Sequence, residues 1–325
     1  MARKIEPKDI NIVSLAAHLR DETAAWKFME ELRWPDGPIC PHCGSIDNST
    51  LINTNGRKTR LGRPTYRREW TCHDCKKQFS VLVGTIYESS KVPLFKWLLA
   101  QHMMCSNKNG VAALEIKRTL NVAYKTAWFI CHRIRYAMEG GPLHDALLSG
   151  VVEADETWVG GVAKAKPGET RSQTRRRTLD NKTAVVTLVE RGGQVRSQAF
   201  ERVTSANLDH MLSTHVDPSA TLMTDERREY ATLGRTLADH QTVNHRAGEY
   251  ARNHAHINTA EGYFGQLKRS IDGTHHHVSR RHLNRYLSEF DFRYNTRKMS
   301  DGERTITAVR QAKGKRLMYD KVVKD

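Results

Sequence analysis

Two sets of side chains in this sequence have types and spacings suited to chemistry. Cys40-Pro41-His42-Cys43 and Cys72-His73-Asp74-Cys75 each bring two thiolates onto a tight knuckle. Two knuckles together supply a four-sulfur tetrahedron for Zn2+, and four sulfurs leave no open coordination position, so the expected role is structural. A redox C-x-x-C pair and unligated cysteines are the alternatives; paired knuckles are the more specific pattern. The second set is acidic: Asp155, Asp225 and Glu261, with 35 residues between the last two. Three carboxylates gathered at one point would repel unless divalent cations compensated them. Mg2+ suits such a site because it takes carboxylate oxygens, keeps waters and binds phosphate. Two ions about 4 Å apart would activate a nucleophile and stabilise the leaving 3′ oxygen of an in-line phosphoryl transfer.

The elements around the acids would have to bring them together. Glu261 lies in INTAEGYFGQLKRSI, Ile257 to Ile271, which carries two helical stripes. Ile257, Ala260, Phe264, Leu267 and Ile271 make an apolar face, and Asn258, Glu261, Gly265 and Lys268 border it. Val151 to Trp158 reads as a strand that Gly160-Gly161 closes. Within it Glu153 shares the face of Asp155 and Glu156 points the other way, both as supporting rivals for the first acid. Thr183 to Val189 and Val195 to Val203 complete a three-stranded meander around the turn Arg191-Gly192-Gly193. Ser205 is expected to cap a helix through Leu208, Met211 and Leu212; Thr221 to Thr224 is a fourth strand delivering Asp225. Tyr230 to Leu237 reads as helix, Gln241 to Asn244 as the fifth strand, and Arg280 to Arg297 as a last long helix. The order βββαβαβα is that of an RNase H-like α/β fold, with a mixed five-stranded sheet and flanking helices. Residues 163 to 182, centred on Arg175-Arg176-Arg177, read as a flexible loop, either strand-binding or merely solvated. His275-His276-His277 reads as a polar or phosphate-contacting loop.

The front half is organised differently. Residues 9 to 33 are helical, with Ala24, Phe28 and Leu32, flanked by Ala25 and Met29, as the apolar stripe, and Trp34-Pro35-Asp36-Gly37-Pro38 ends them. Tyr66, Trp70, Phe79 and Val81 suit strands of a zinc ribbon, and Arg57, Lys58, Arg60, Arg63, Arg67 and Arg68 form a basic run that either touches phosphate or is solvated. Residues 93 to 139 read as helices containing a helix-turn-helix, turning at Asn121-Val122-Ala123. Its third helix buries Ala127, Ile130, Ile134 and Ala137 and turns Lys125, His132 and Arg135 outward toward DNA. Cys105 and Cys131 read as small buried hydrophobes.

The 325 residues carry 52 Lys and Arg against 36 Asp and Glu, a net charge of +16, which favours a polyanionic partner, nucleic acid first. No apolar run of spanning length, basic amphipathic anchor or signal peptide is read, and the cysteine spacing fits a reducing compartment; the expectation is a cytoplasmic protein without a membrane partner. The chain is thus expected to be multidomain. It divides into an N-terminal helical segment (1–36), a zinc ribbon (37–90), a helix-turn-helix region (91–142), the RNase H-like domain (145–300) and a basic C-terminal tail (301–325).

ADETWVGG, LMTDE, HINTAEGYFGQLKR and THHHVSRRHLNRYLSEFDFRYNTR resemble the catalytic domain of bacterial insertion-sequence DDE transposases of the ISXO2-like type. RWPDGPICPHCGS and TCHDCKKQFSVLVGTIYESSKVPLFKW resemble the zinc ribbon that precedes it in the same family. The likeness spans roughly residues 15 to 300. It implies cutting and joining of double-stranded DNA at terminal inverted repeats, with Mg2+ or Mn2+ held by Asp155, Asp225 and Glu261 as the DDE triad. It implies that Lys268 holds a phosphate or base, and that Asn258, an Asn position some members use in this helix, serves as an alternate ligand or orients water. It also implies a homodimer or higher assembly on DNA, associated with the bacterial nucleoid. The competing reading is a catalytically idle, transposase-derived DNA-binding regulator; a third is a non-transposing nuclease on the same fold.

Overall fold

The computed structural model describes the chain apart from residues 1–5, 20, 53–57, 59–65, 142–143, 162–163, 245–246, 250, 253 and 325. It falls into two compact units, Met1–Met138 with Lys298–Asp325, and Glu139–Arg297.

In the first unit the expected N-terminal helix is two, α1 (Ile12–His18) and α2 (Glu22–Arg33), because the Asp21 carboxylate caps α2 by accepting from the Ala24 N–H. The α2 stripe is rotated slightly from expectation: Ala25, Trp26, Phe28, Met29 and Glu30 are buried. Three short antiparallel strands, β1 (Ser49–Leu51), β2 (Trp70–Cys72) and β3 (Gln78–Phe79), form the ribbon. Glu30 joins α2 to it, accepting from Arg68 Nε at 2.7 Å and Trp70 Nε1 at 2.9 Å. Arg68 is therefore held in an ion pair; Arg57, Arg60 and Arg63 lie outside the described residues.

Helix α3 (Leu94–Ser106) is followed by α4 (Ala113–Leu120) and α5 (Tyr124–Met138). The turn between α4 and α5 forms where expected, on Asn121 in the left-handed conformation (φ 48°), which asparagine tolerates better than most residues. The outward row expected on α5 does not hold. Lys125 is exposed, but His132 is 0% and Arg135 2% exposed. Helix α5 is packed on several sides, by α3 and α4 and by helices from the other end of the sequence. Residues 301–325, read as a basic tail, form α11 (Asp301–Arg310) and α12 (Tyr319–Lys324), and both pack on α5. His102 meets the Thr305 hydroxyl at 3.0 Å, and Lys315 donates to the Ala137 carbonyl at 2.9 Å.

The second unit is a mixed five-stranded sheet in the order β6-β5-β4-β7-β8. Its strands are β4 (Val151–Val159), β5 (Thr183–Glu190), β6 (Val195–Phe200), β7 (Thr221–Thr224) and β8 (Asp239–Thr242). β4, β5 and β6 form the antiparallel meander, while β7 lies parallel to β4 and β8 parallel to β7. β4 is central and covered on both faces, so its apolar residues do not follow simple alternation. Val152 and Ala154 join Leu208, Met211 and Leu212 of α7 (Ser205–His215) and Tyr230 of α8 (Arg228–Leu233). On the opposite face Val159 and Val185 join Ala260, Phe264 and Leu267 of α9 (Asn258–Ser270), with Leu283, Leu287 and Phe290 of α10 (Leu283–Asn295). Thr204 rather than Ser205 caps α7, and β8 begins two residues earlier than the Gln241 expected. Gly160 is required where β4 ends: its φ is +142°, and a Cβ there would come within 2.5 Å of the Asn181 carbonyl oxygen.

Residues 163–182 are not one loop. Arg171–Asp180 is helix α6, started by a reciprocal cap in which Thr170 Oγ1 accepts from Gln173 N and Gln173 Oε1 accepts from Thr170 N. Thr170-x-x-Gln173 is the sequence form of that cap, hidden behind the arginine run. The histidine stretch likewise continues α9 as a wide turn, Ile271–His275, with His275 edge-on to Tyr286.

Helix α9 is tied to the sheet and to α10 by a buried polar bridge. The Tyr263 hydroxyl donates to Asp291 Oδ1 at 2.6 Å, and Ser197 N donates to Asp291 Oδ2 at 2.7 Å. Burial pushes the Asp291 carboxyl up to about 6, against the lowering effect of the Tyr263 and Ser197 hydrogen bonds. A folded-state value above the unfolded one means the folded chain holds this proton more tightly. The resulting stability is fully present below about pH 4 and is lost as pH rises through 6, on the order of 3 kcal/mol in all. Asp291→Asn removes this titration. The difference in unfolding free energy between wild type and variant is expected to change by that amount between pH 4 and 7.5 in urea titrations, and a constant difference would refute it.

Candidate metal centres and active site

The four ribbon cysteines converge. Cys40, Cys43, Cys72 and Cys75 have sulfurs all within 4.8 Å of one another, with Cys40–Cys75 and Cys43–Cys72 each at 3.6 Å. A Zn–S bond of about 2.3 Å in a tetrahedron implies sulfur separations of roughly 3.8 Å, so the donor set fits zinc. It does not fit disulfides, whose sulfurs are about 2.05 Å apart. The knuckles are shaped by backbone: Cys40 N donates to Ser45 O, Gly44 N donates to Cys40 O, and Cys72 N donates to Lys77 O. Gly44 and Lys76 take the positive φ that closes each turn.

The acids gather at one end of the central strands. β7 runs beside β4 with Val151 opposite Thr221 and Glu153 opposite Met223. Continuing that register past the end of β7 brings Asp225 next to Asp155. Asp155, Glu156 and Asp225 offer carboxylate oxygens within 4.8 Å of one another. Short local bonds orient them: Asp155 Oδ1 accepts from Glu156 N at 2.7 Å, and Asp225 Oδ1 accepts from Arg227 N at 3.0 Å. Burial pushes the Asp155 carboxyl up to about 7. The Glu156 N–H opposes that rise, while the charges of Glu156, Asp225 and Glu261 add to it. Four acids therefore share one field, a donor set that suits a hard divalent cation.

On α9 both stripes lie as read. Ile257, Ala260, Phe264, Leu267 and Ile271 are buried, while Asn258, Glu261, Gly265 and Lys268 are exposed. Glu261 acts on Asp155 through its charge but lies outside the tight group of three. Arg175 and Arg176 are exposed on α6, and Arg177 is engaged with Glu169 at 2.5 Å.

Glu156 was read only as a supporting rival for the first acid, and Arg227 and Trp158 were not singled out from sequence. Glu156 does leave the opposite face of β4, yet it is held at the acidic end by the Tyr230 hydroxyl at 2.7 Å and by Arg227 at 3.4 Å. Burial raises its pKa, and Tyr230 and Arg227 restrain that rise. A cleft of about 520 Å³ opens at the acids, lined by Asp155, Glu156, Asp225, Arg227, Arg228 and Trp158, which is 48% exposed. Strand alternation, which puts Glu156 and Trp158 on one face, was the available signal; it needed the position of α8 to be useful.

Residues 147–295 match the ISXO2-like transposase domain, and residues 20–78 match the transposase zinc-ribbon domain. A protein described as "Uncharacterized protein in transposable element ISH50", from Halobacterium salinarum, is 28% identical over 281 residues, which cover 84% of this chain and 90% of that protein. No solved structure matches significantly. Among the described residues no helix is long and apolar enough to cross a membrane. One chain thus carries an ISXO2-like transposase domain behind a transposase zinc-ribbon domain, and over most of its length it is similar to a protein of a transposable element.

Proposed function

We propose that this protein cleaves DNA at the terminal inverted repeats of an insertion sequence and joins the freed 3′-OH ends to target DNA, using an RNase H-like domain with Asp155, Asp225 and Glu261 as its catalytic carboxylates. The observation that carries the reading is the gathering of Asp155, Glu156 and Asp225 within 4.8 Å, inside the field of Glu261, beside an open cleft. The strand order, with an antiparallel meander followed by two parallel strands, supports the RNase H-like assignment. Asp155, Asp225 and Glu261 would hold Mg2+ or Mn2+, which when bound activates the attacking oxygen and stabilises the leaving one. Asn258, one turn before Glu261, orients water or adds a ligand. Lys268 on the same exposed stripe of α9 takes a phosphate of the reacting strand. Around Gly262 and Gly265 there is open space, which leaves that stripe low enough for a DNA backbone to approach.

DNA enters through more than one part of the chain. The ribbon and the α4–α5 pair, read as a helix-turn-helix, bind the element ends, with Lys125 on the exposed side of α5. Arg175 and Arg176 on α6 contact target or flanking strands. His132 and Arg135 have no part in this, being buried. Two ends must be held together for joining, so the active form is a dimer or larger assembly on nucleoid DNA.

Purified full-length protein, incubated with duplexes carrying the element ends, a plasmid target and Mn2+ or Mg2+, is expected to nick at the repeat ends and yield strand-joined products. Tight binding without cleavage would replace this reading with that of a regulator, and cleavage without joining with that of a nuclease.

A further inference from the structure

Helix α9 starts with little help from its own sequence. Its N-cap, Ile257, offers no side-chain acceptor, and Gly262 and Gly265 each weaken the helix by about 1 kcal/mol relative to alanine. The missing acceptor comes from the sheet. Glu153 on β4, 0% exposed, accepts from Thr259 N at 2.7 Å and Ala260 N at 2.9 Å through Oε2, and from the Thr259 hydroxyl at 2.9 Å through Oε1. An isolated buried carboxylate would be costly, and this one is balanced. Arg191 Nε donates to it at 2.6 Å, and His256 Nδ1 lies 3.4 Å away. Arg191 also donates to the carbonyls of His254 at 2.9 Å and His256 at 2.8 Å, so the segment entering α9 is gripped by the same guanidinium.

We propose that Glu153 is a positioning residue: with Arg191 it locks the first turn of α9 to β4, and so fixes Glu261 relative to Asp155. Glu153 and Asp155 are two residues apart on one face of one strand, and Ala260 immediately precedes Glu261. One set of charge-assisted hydrogen bonds therefore sets the spacing between two acids that are far apart in sequence. The same bonds place the negative carboxylate at the positive end of the helix, where it favours that geometry further. The inference rests on the proposed role of Glu261 in holding a divalent cation.

Glu153→Gln keeps the side chain's shape but weakens the acceptors and sets an amide against Arg191. In the full-length protein, hydrogen exchange over residues 257–264 is expected to rise at least tenfold, with β4 and β5 unchanged. The dissociation constant for Mn2+, followed by its electron paramagnetic resonance signal without DNA, is expected to rise at least tenfold. Thr259→Val, which removes only the hydroxyl donor, should move both in the same direction by two- to threefold and covers the case in which Glu153→Gln fails to fold. Faster exchange with unchanged Mn2+ affinity would reduce Glu153 to a structural cap and overturn the proposal, as would unchanged exchange. If the wild-type protein bound no Mn2+, the metal reading of the acids would fail; exchange over 257–264 would then decide alone whether Glu153 locks α9.

Discussion

Asp155→Asn is expected to lower strand cleavage by at least about 10³-fold while leaving the protein as stable as before, or more so. On the proposed function, the loss follows from removing one charged ligand from a site whose cation would carry several kcal/mol of transition-state stabilisation. The stability result has the opposite sign to that of an ordinary buried acid, and this makes the test sharp. Asp155 is half-buried, and it is held up to about 7 by burial and then by the charges of Glu156, Asp225 and Glu261. In the metal-free protein its negative form is therefore a burden on the fold. Asparagine has nearly the same shape, keeps an oxygen for the Glu156 N–H, and removes one charge from a crowded group. A melting temperature equal to or a few degrees above that of wild type, measured without divalent ions at pH 8, should accompany the lost activity. A variant that cleaves within tenfold of wild type would remove Asp155 from the chemistry. A variant that melts well below wild type would recast it as a structural residue.

The contrast with Glu153 shows what the sequence could reveal and what it could not. Both are acids on one strand, on the same face, two residues apart. Period-two alternation established that much and could not separate them. What separates them is Arg191, 38 positions on, together with the N-terminus of α9, more than 100 positions on. No local pattern carries such pairings. The strands, the α9 stripes and the paired knuckles were legible because each depends on near neighbours in sequence or on a fixed spacing. The buried side of α5 was not: His132 and Arg135 are buried, and among the helices packed on α5 are α11 and α12, from a stretch whose charge suggested a loose tail. Helix α6 shows a different failure. A run of arginines outweighed a four-residue cap that was present in the sequence all along.

Loss of zinc is expected to unfold the ribbon and loosen α2, while the second unit keeps its fold. The ribbon strands are two or three residues long, too short to sustain a sheet without a further tie. Structural zinc contributes on the order of 10 kcal/mol to the folding of small domains of this kind. Its removal should reach beyond the knuckles, because Cys72 is the last residue of β2 and Trp70 of the same strand donates to Glu30 of α2. Once β2 frays, Glu30 loses both the Trp70 and Arg68 donors in a buried setting, at a cost of about 1–3 kcal/mol. Trp34, which meets the rings of Trp70 and Phe79 edge-on at 6.3 and 5.7 Å, loses its packing in the same event. Metal analysis of the purified protein should give about one tightly held zinc per chain. Cys40→Ser, or treatment with a strong chelator, should shift tryptophan emission to the red and abolish near-ultraviolet dichroism from the ribbon aromatics. Binding to element ends should weaken, while Mn2+ affinity at the acids stays within twofold of wild type. Unchanged aromatic signals and unchanged end binding in zinc-free protein would mean that the four thiols are held by the fold rather than the fold by the metal.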